Sequence, residues 1–82
     1  MNKKYTPVPC AFYDELEAAV VKKLNCEIIY LENEEEKIIN SKVIDLKNIQ
    51  KEEFMILENN QQIRLDFILF FNGISPKDKN YC

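Results

Sequence analysis

The apolar residues of this chain change their spacing near residue 25, and this change sets the order of its secondary structure. Before that point they recur every three or four residues, as on one face of an amphipathic α-helix. After it, segments rich in β-branched and aromatic residues alternate with short polar stretches, as expected for strands and turns. The sequence therefore predicts one helix followed by short strands. The apolar stripe of the helix comprises Phe12, Leu16, Ala19, Val20 and Leu24.

The predicted helix runs from about Ala11 to Leu24, with Asn25 as its end. Pro7 and Pro9 precede it and favour extended backbone, because proline restricts its own φ and the residue before it. Acidic residues in the first turns and lysines near the end suit the helix dipole. Those carboxylates therefore have a structural explanation that needs no ligand.

Four or five strands are predicted after the helix. The last segment is long for a strand in a small domain, so we expect a break near Asp66 that divides it in two. Asn59 and Asn60 favour a tight two-residue hairpin, since asparagine tolerates positive φ. The segments are strands 26–32, 37–46, 54–58 and 61–71, a solvated acidic turn 33–36 and a polar connection 47–53. In the last segment one face should carry Ile63, Leu65, Phe67, Leu69 and Phe71.

A helix and four or five short strands predict a mainly β domain, either a barrel or a sandwich with the helix covering one end. The 82 residues fit one domain. We expect an extended N-terminal segment over residues 1–10, a single domain over 11–72 and a flexible tail over 73–82. Most of the aromatic residues are expected in the core: Tyr30 and the phenylalanines at 54, 67, 70 and 71.

Several classes of protein are disfavoured by composition. No apolar run approaches the ~20 residues of a membrane span, and no signal peptide is recognisable, so we expect a cytoplasmic protein. The three cysteines lack Cys-x-x-Cys spacing, and their odd number suits a reducing compartment. With no histidine and one glycine, the chain offers no metal site, phosphate loop or acid–base pair. We therefore predict no catalytic residues, no cofactor and no enzyme activity; Cys10 is expected to be a small buried residue.

The charge of the chain is unevenly distributed. Eleven basic residues oppose fourteen acidic ones overall, but between Phe12 and Glu36 eight acidic residues face only two lysines. Such a surface repels nucleic acid and suits a basic partner. The excess acid also favours a monomer. The run Glu34 to Glu36 is interpreted as a solvated hairpin rather than a binding site.

Two motifs resemble a known family. The first reads Tyr5-x-Pro7-Val8-x-Cys10-x-x-Tyr13-Asp14-x-Leu16-Glu17. The second reads Arg64-Leu65-Asp66-x-Ile68 with Phe71 after it, and Asp45-Leu46 lies between the two. Together, over about residues 5–71, they resemble the Rof proteins, the bacterial Rho-binding antiterminators. Arg64 and Asp66 also have a structural interpretation as an ion pair.

The resemblance implies an Sm-like fold, with an N-terminal helix and a strongly bent five-stranded barrel. It also implies a function: binding to the N-terminal domain of the Rho hexamer around its primary RNA-binding site, which excludes RNA and inhibits termination. Tyr13, Asp14 and Glu17 match the helix positions that face Rho in relatives. The carboxylates should pair with basic side chains of Rho, and Tyr13 should be an aromatic anchor. Glu15 is expected to compensate in part for acidic residues that relatives often carry where this chain has Ala11 and Phe12.

A different function is compatible with the same fold, namely an Sm-like RNA-binding or ring-forming module. The acidic first half favours the Rho antagonist, which should not bind nucleic acid directly. A small enzyme is the third and weakest interpretation.

Overall fold

One helix and five antiparallel strands make up the chain in a computed structural model that describes residues 5–76. The fold is mainly β, with five antiparallel strands in one bent sheet and an N-terminal helix, as predicted. Helix α1 spans Cys10–Lys22 and is followed by β1 Asn25–Glu32, β2 Glu35–Ile49, β3 Glu52–Leu57, β4 Gln62–Arg64 and β5 Ile68–Phe71, with a 3-10 turn Leu65–Phe67 between β4 and β5. No helix in this part of the chain is long and apolar enough to cross a membrane.

The long strand β2 is the centre of the sheet, whose order is β4-β3-β2-β1-β5. It pairs with β1 as far as Lys42 and with β3 from Val43 onward. Its register with β3 slips at Ile44, because Val43 and Asp45 face consecutive residues of β3. Ile44 is thus an extra residue, a β-bulge, and bulges bend the strand that carries them.

The turns next to β2 are shorter than predicted. Asn33 and Glu34 form the β1–β2 turn, and Gln50 and Lys51 form the β2–β3 turn. All four residues have φ between 52° and 69°, as two-residue type I′ hairpins require. The prediction of a polar connection over 47–53 was wrong, since most of these residues belong to β2 and β3. A solvated strand face has the same polar composition as a loop, which explains the error. The β3–β4 connection spans 58–61, longer than the predicted two-residue hairpin, with Asn60 at φ 71°.

The helix packs its predicted face on the barrel. Phe12, Leu16 and Ala19 are buried, whereas Leu24 is 47% exposed and does not belong to the core. The helix stops earlier than predicted because Lys23 adopts the left-handed conformation, with its N–H donating to Val20 O and that of Leu24 donating to Ala19 O. This is the Schellman pattern of hydrogen bonds. The remaining buried apolar residues are Cys26, Ile28, Tyr30, Val43, Met55, Ile56, Leu57, Ile63, Leu65, Ile68 and Phe71.

The predicted break near Asp66 is confirmed by the 3-10 turn, but the predicted face beyond it is wrong. Ile68 and Phe71 are buried, whereas Phe67 and Leu69 are half-buried. A 3-10 turn has three residues per turn and so shifts the period-two alternation. Phe70 was also expected in the core, but 42% of its surface is exposed. Ile74, at the start of the expected tail, packs on the core and forms a β-bridge with Phe71. Residues 77–82 of that expected tail lie outside the described residues.

The cysteines differ from the sequence-based expectation. Cys10 is exposed at the start of α1, so its interpretation as a small buried residue was wrong. Cys26 is buried with a free thiol, which donates to Leu24 O at 3.4 Å. Burial raises the pKa of this thiol despite an opposing hydrogen bond with Asn72. A raised pKa keeps Cys26 a neutral core residue rather than a reactive one.

Candidate functional site

A shallow groove between α1 and β2 brings together two of the four predicted site residues. Tyr13 and Glu17 lie one turn apart on the helix flank that faces β2. With Val20, Val21, Asp45 and Leu46 they line a hollow of about 170 Å³, which we call the Tyr13 hollow. None of the residues that line it is basic.

The bulge in β2 explains why Asp45 lines this hollow. In a regular strand successive side chains alternate between faces, and buried Val43 would place Asp45 toward the core. The extra residue Ile44 breaks this alternation, and both Ile44 and Asp45 are exposed. The Asp45 carboxylate accepts the Leu46 N–H through Oδ1 at 2.8 Å. This bond steadies the carboxylate at the edge of the hollow.

Three carboxylates lie near enough to Tyr13, which is half-buried, to influence the ionisation of its hydroxyl. Burial raises the pKa of the Tyr13 phenol, and the negative charges of Glu53, Glu17 and Asp45 raise it further. Because the ordinary pKa of tyrosine is about 10, the phenol is protonated at neutral pH. The hollow therefore combines a hydrogen-bond donor, an aromatic ring and negative charge.

The other two predicted residues lie in different places. Asp14 is exposed and follows Tyr13 by about 100° around the helix, three residues before Glu17, so it extends the same acidic flank. Glu15 lies on the opposite flank, where it lines a hollow of about 100 Å³ with Lys22 and Asn72. The structure thus groups Tyr13, Asp14 and Glu17 and separates Glu15 from them.

Sequence reasoning missed four residues of this surface as site residues: Val21, Asp45, Leu46 and Glu53. Asp45-Leu46 was part of the resemblance, but nothing in the sequence showed that a bulge would bring it to the helix. Val21 is 80% exposed, the most exposed large apolar side chain among the described residues. Its place on the helix surface follows from the 3.6-residue period, whereas the position of Glu53 depends on the pairing of β3 with β2.

Hydrogen bonds and ring contacts hold the N-terminal segment against the barrel beside this site. The Tyr5 hydroxyl donates to Glu53 Oε1 at 3.0 Å, and the Thr6 N–H donates to Asp66 Oδ2 at 3.0 Å. Arg64 lies 4.5 Å from the centre of the Phe67 ring and 5.6 Å from that of Tyr5. These contacts connect the chain before α1 with β3 and with the 3-10 turn.

The Arg64–Asp66 ion pair at the centre of this network confirms the structural interpretation of that motif. Nε donates to Oδ1 at 2.7 Å and Nη2 donates to Oδ2 at 2.6 Å, and Glu52 lies 3.7 Å from Nη1. Burial raises the pKa of Asp66, but the hydrogen bonds from Arg64 and the Thr6 N–H outweigh it, so the pKa lies below its ordinary value.

A second cleft, of about 270 Å³, lies between β1 and β4. Gln61 donates to the Tyr30 hydroxyl across it at 2.9 Å, and Arg64 and Phe67 form part of its wall. The guanidinium in this wall belongs to Arg64 and is already paired with Asp66.

Among residues 5–76, no group of three His, Cys, Asp or Glu side chains could hold a metal ion. The acidic hairpin is exposed, and Glu35 makes only a 3.8 Å surface contact with Lys37.

Comparison of the chain with family models, with curated proteins and with solved structures finds no match.

Proposed function

We propose that this protein binds the transcription termination factor Rho through the acidic flank of α1 and inhibits Rho-dependent termination by excluding RNA. In this proposal it acts in the cytoplasm as a monomer of the Rof type, without a cofactor and without catalysis. The binding residues are Tyr13, Asp14 and Glu17, and the partner surface is the RNA-binding region of the N-terminal domain of Rho. The motif around these residues supports the proposal.

The observation that carries the proposal is the grouping of acid around Tyr13. Glu17, Asp45 and Glu53 all act on its hydroxyl, and Asp14 extends the acidic flank. A protein surface that holds RNA must be basic, because it neutralises phosphates. An acidic surface with an aromatic group at its centre is complementary to such a site and repels RNA itself.

A competition experiment tests the proposal. Rho carrying a fluorescent oligo-cytidine strand is titrated with the protein, and anisotropy is followed at low and at moderate salt. We expect the strand to be released from Rho and not to bind the protein when Rho is absent. Direct binding to the strand would favour the RNA-binding interpretation of the fold, and a lack of displacement at tens of micromolar would refute the proposal.

A double variant tests the assignment of the helix flank. Asp14→Lys with Glu17→Lys should weaken binding to Rho by at least tenfold, because each charge pair lost at a desolvated contact costs ~2–5 kcal/mol. Glu34→Lys with Glu36→Lys makes the same charge change on the exposed β1–β2 hairpin and is the matched control. Equal loss in both variants would mean that net charge, and not this surface, governs binding.

A further inference from the structure

The groove between α1 and β2 continues past the Tyr13 hollow. A second hollow, of about 240 Å³, is lined by Val20, Lys23, Lys42, Val43, Ile44 and Glu58. Val20 lines both hollows, and β2 contributes Val43 and Ile44 to one and the next two residues to the other. The two hollows therefore lie end to end, and we call them together the long groove.

Aliphatic side chains form the middle of the long groove. Val43 is buried beneath it, Val20 is half-buried, and Val21 and Ile44 stand at its edges with 80% and 50% of their surface exposed. The bulge is what exposes Ile44 here. Exposed apolar side chains that line a continuous concave surface are typical of a binding site for another protein.

The charges at the two ends of the long groove differ in sign. Glu17 and Asp45 line one end beside Tyr13, whereas Lys23 and Lys42 line the other with a single carboxylate, Glu58. A cationic side chain is thus attracted to the Tyr13 end and disfavoured at the lysine end. This difference specifies the direction in which a basic and apolar segment can lie.

We propose that the long groove holds an extended segment of the partner protein, with an arginine or lysine at the Tyr13 end and aliphatic side chains against Val20, Val21 and Ile44. The cation would lie between Glu17 and Asp45 and over the Tyr13 ring, while its methylene stem covers Val21. The assignment rests on the proposed function, in that the segment belongs to Rho. It extends that function from the acidic flank of the helix to β2.

Aspartate substitutions at the exposed aliphatic residues test this contact. Val21→Asp and Ile44→Asp should each weaken binding to Rho by at least tenfold, since each places a carboxylate where an apolar side chain must pack. Ile38→Asp is the matched control, because Ile38 is also on β2, is 66% exposed and lies outside both hollows. Circular dichroism should confirm that all three variants are folded. If Val21→Asp and Ile44→Asp bind Rho like the wild type, the long groove is not the contact, although the proposed function stands.

A peptide measurement separates the groove from the proposed function. In methyl NMR spectra of the wild-type protein, the capped peptide Ac-Arg-Leu-Val-Leu-NH2 should shift the signals of Val20, Val21 and Ile44. The peptide Ac-Glu-Leu-Val-Leu-NH2, which differs only in charge at one end, should shift them at least fivefold less at equal concentration. If the protein fails to bind Rho but the arginine peptide gives these shifts, the proposed function is wrong and the groove is supported. Absent or equal shifts with the two peptides would overturn the groove.

Discussion

Arg64 and Asp66 are joined by two parallel hydrogen bonds, from Nε to Oδ1 at 2.7 Å and from Nη2 to Oδ2 at 2.6 Å. Both side chains are nearly buried, with 9% and 7% of their surfaces exposed. The same carboxylate accepts the Thr6 N–H, and the guanidinium lies over the rings of Tyr5 and Phe67, 5.6 Å and 4.5 Å from their centres. The pair therefore holds the N-terminal segment against the 3-10 turn, and with it the start of α1 that carries the candidate site.

Removal of the carboxylate should destabilise the fold strongly. Asp66→Ala removes both hydrogen bonds that Asp66 accepts from the Arg64 guanidinium, and removing one partner of a buried ion pair is costly. We expect the free energy of unfolding, measured by urea denaturation, to fall by about 3 kcal/mol. Glu35→Ala breaks the exposed pair with Lys37 and should change it by less than about 0.5 kcal/mol. Similar losses in both variants would contradict the structural role of the Asp66 pair.

Acid should weaken the fold through Asp66. The folded pKa of this carboxyl lies below its ordinary value, so the stabilisation that it provides is complete above the unfolded pKa of about 4. It is lost as the pH falls from the unfolded pKa through the lower folded pKa, because the unfolded state takes up the proton at a higher pH than the folded state does. Unfolding free energies measured between pH 7 and pH 2 should decrease in this range. The decrease should be smaller in Asp66→Ala, and an unchanged slope would show that Asp66 does not contribute.

Alkali should weaken the fold through Tyr5. Burial raises the pKa of the Tyr5 phenol, and the hydrogen bond to Glu53 and the neighbouring carboxylates raise it further, with Arg64 opposing. A raised folded pKa means that stability is complete below the unfolded pKa of about 10 and is lost as the pH rises above it. Tyr5→Phe should cost about 1 kcal/mol at pH 7, the net value of one hydrogen bond, and should reduce the alkaline loss. Thermal unfolding at pH 7, 9 and 10.5 measures both effects, and a parallel decline in the two proteins would rule out Tyr5 as its source.

Two glutamates of α1 should differ in their effect on Rho. Glu17 lines the Tyr13 hollow and Glu15 lines the hollow on the other flank. Glu17→Lys should weaken the binding of Rho, measured by oligo-cytidine competition, by at least tenfold, because a positive charge then replaces one carboxylate beside Tyr13. Glu15→Lys carries the same charge change on the same helix and should bind within about twofold of the wild type. The reverse order would place the contact on the other flank of α1.

Local periodicity in the sequence was enough to predict the order of the elements and the buried face of the helix. Phe12, Leu16 and Ala19 lie on one side of any helix through these positions, because 3.6 residues make one turn. The separation of Glu15 from Glu17 follows from the same geometry. The break at Asp66 was also predictable, since strands in small domains are short. The lengths of the turns could not be predicted, because the solvent-exposed ends of β2 and β3 have the polar composition of loops.

The tertiary structure alone decided which residues surround Tyr13. The bulge at Ile44 exposes Asp45, and no short-range pattern in the sequence marks it. Tyr5 reaches Glu53 across 48 positions of the chain, and Thr6 reaches Asp66 across 60. Contacts at such separations depend on strand pairing and on how the barrel bends, which are set by the packing of the whole core rather than by neighbouring residues. The amino-acid sequence thus determined the helix and its acidic flank, and only the folded barrel placed β2 and β3 beside it.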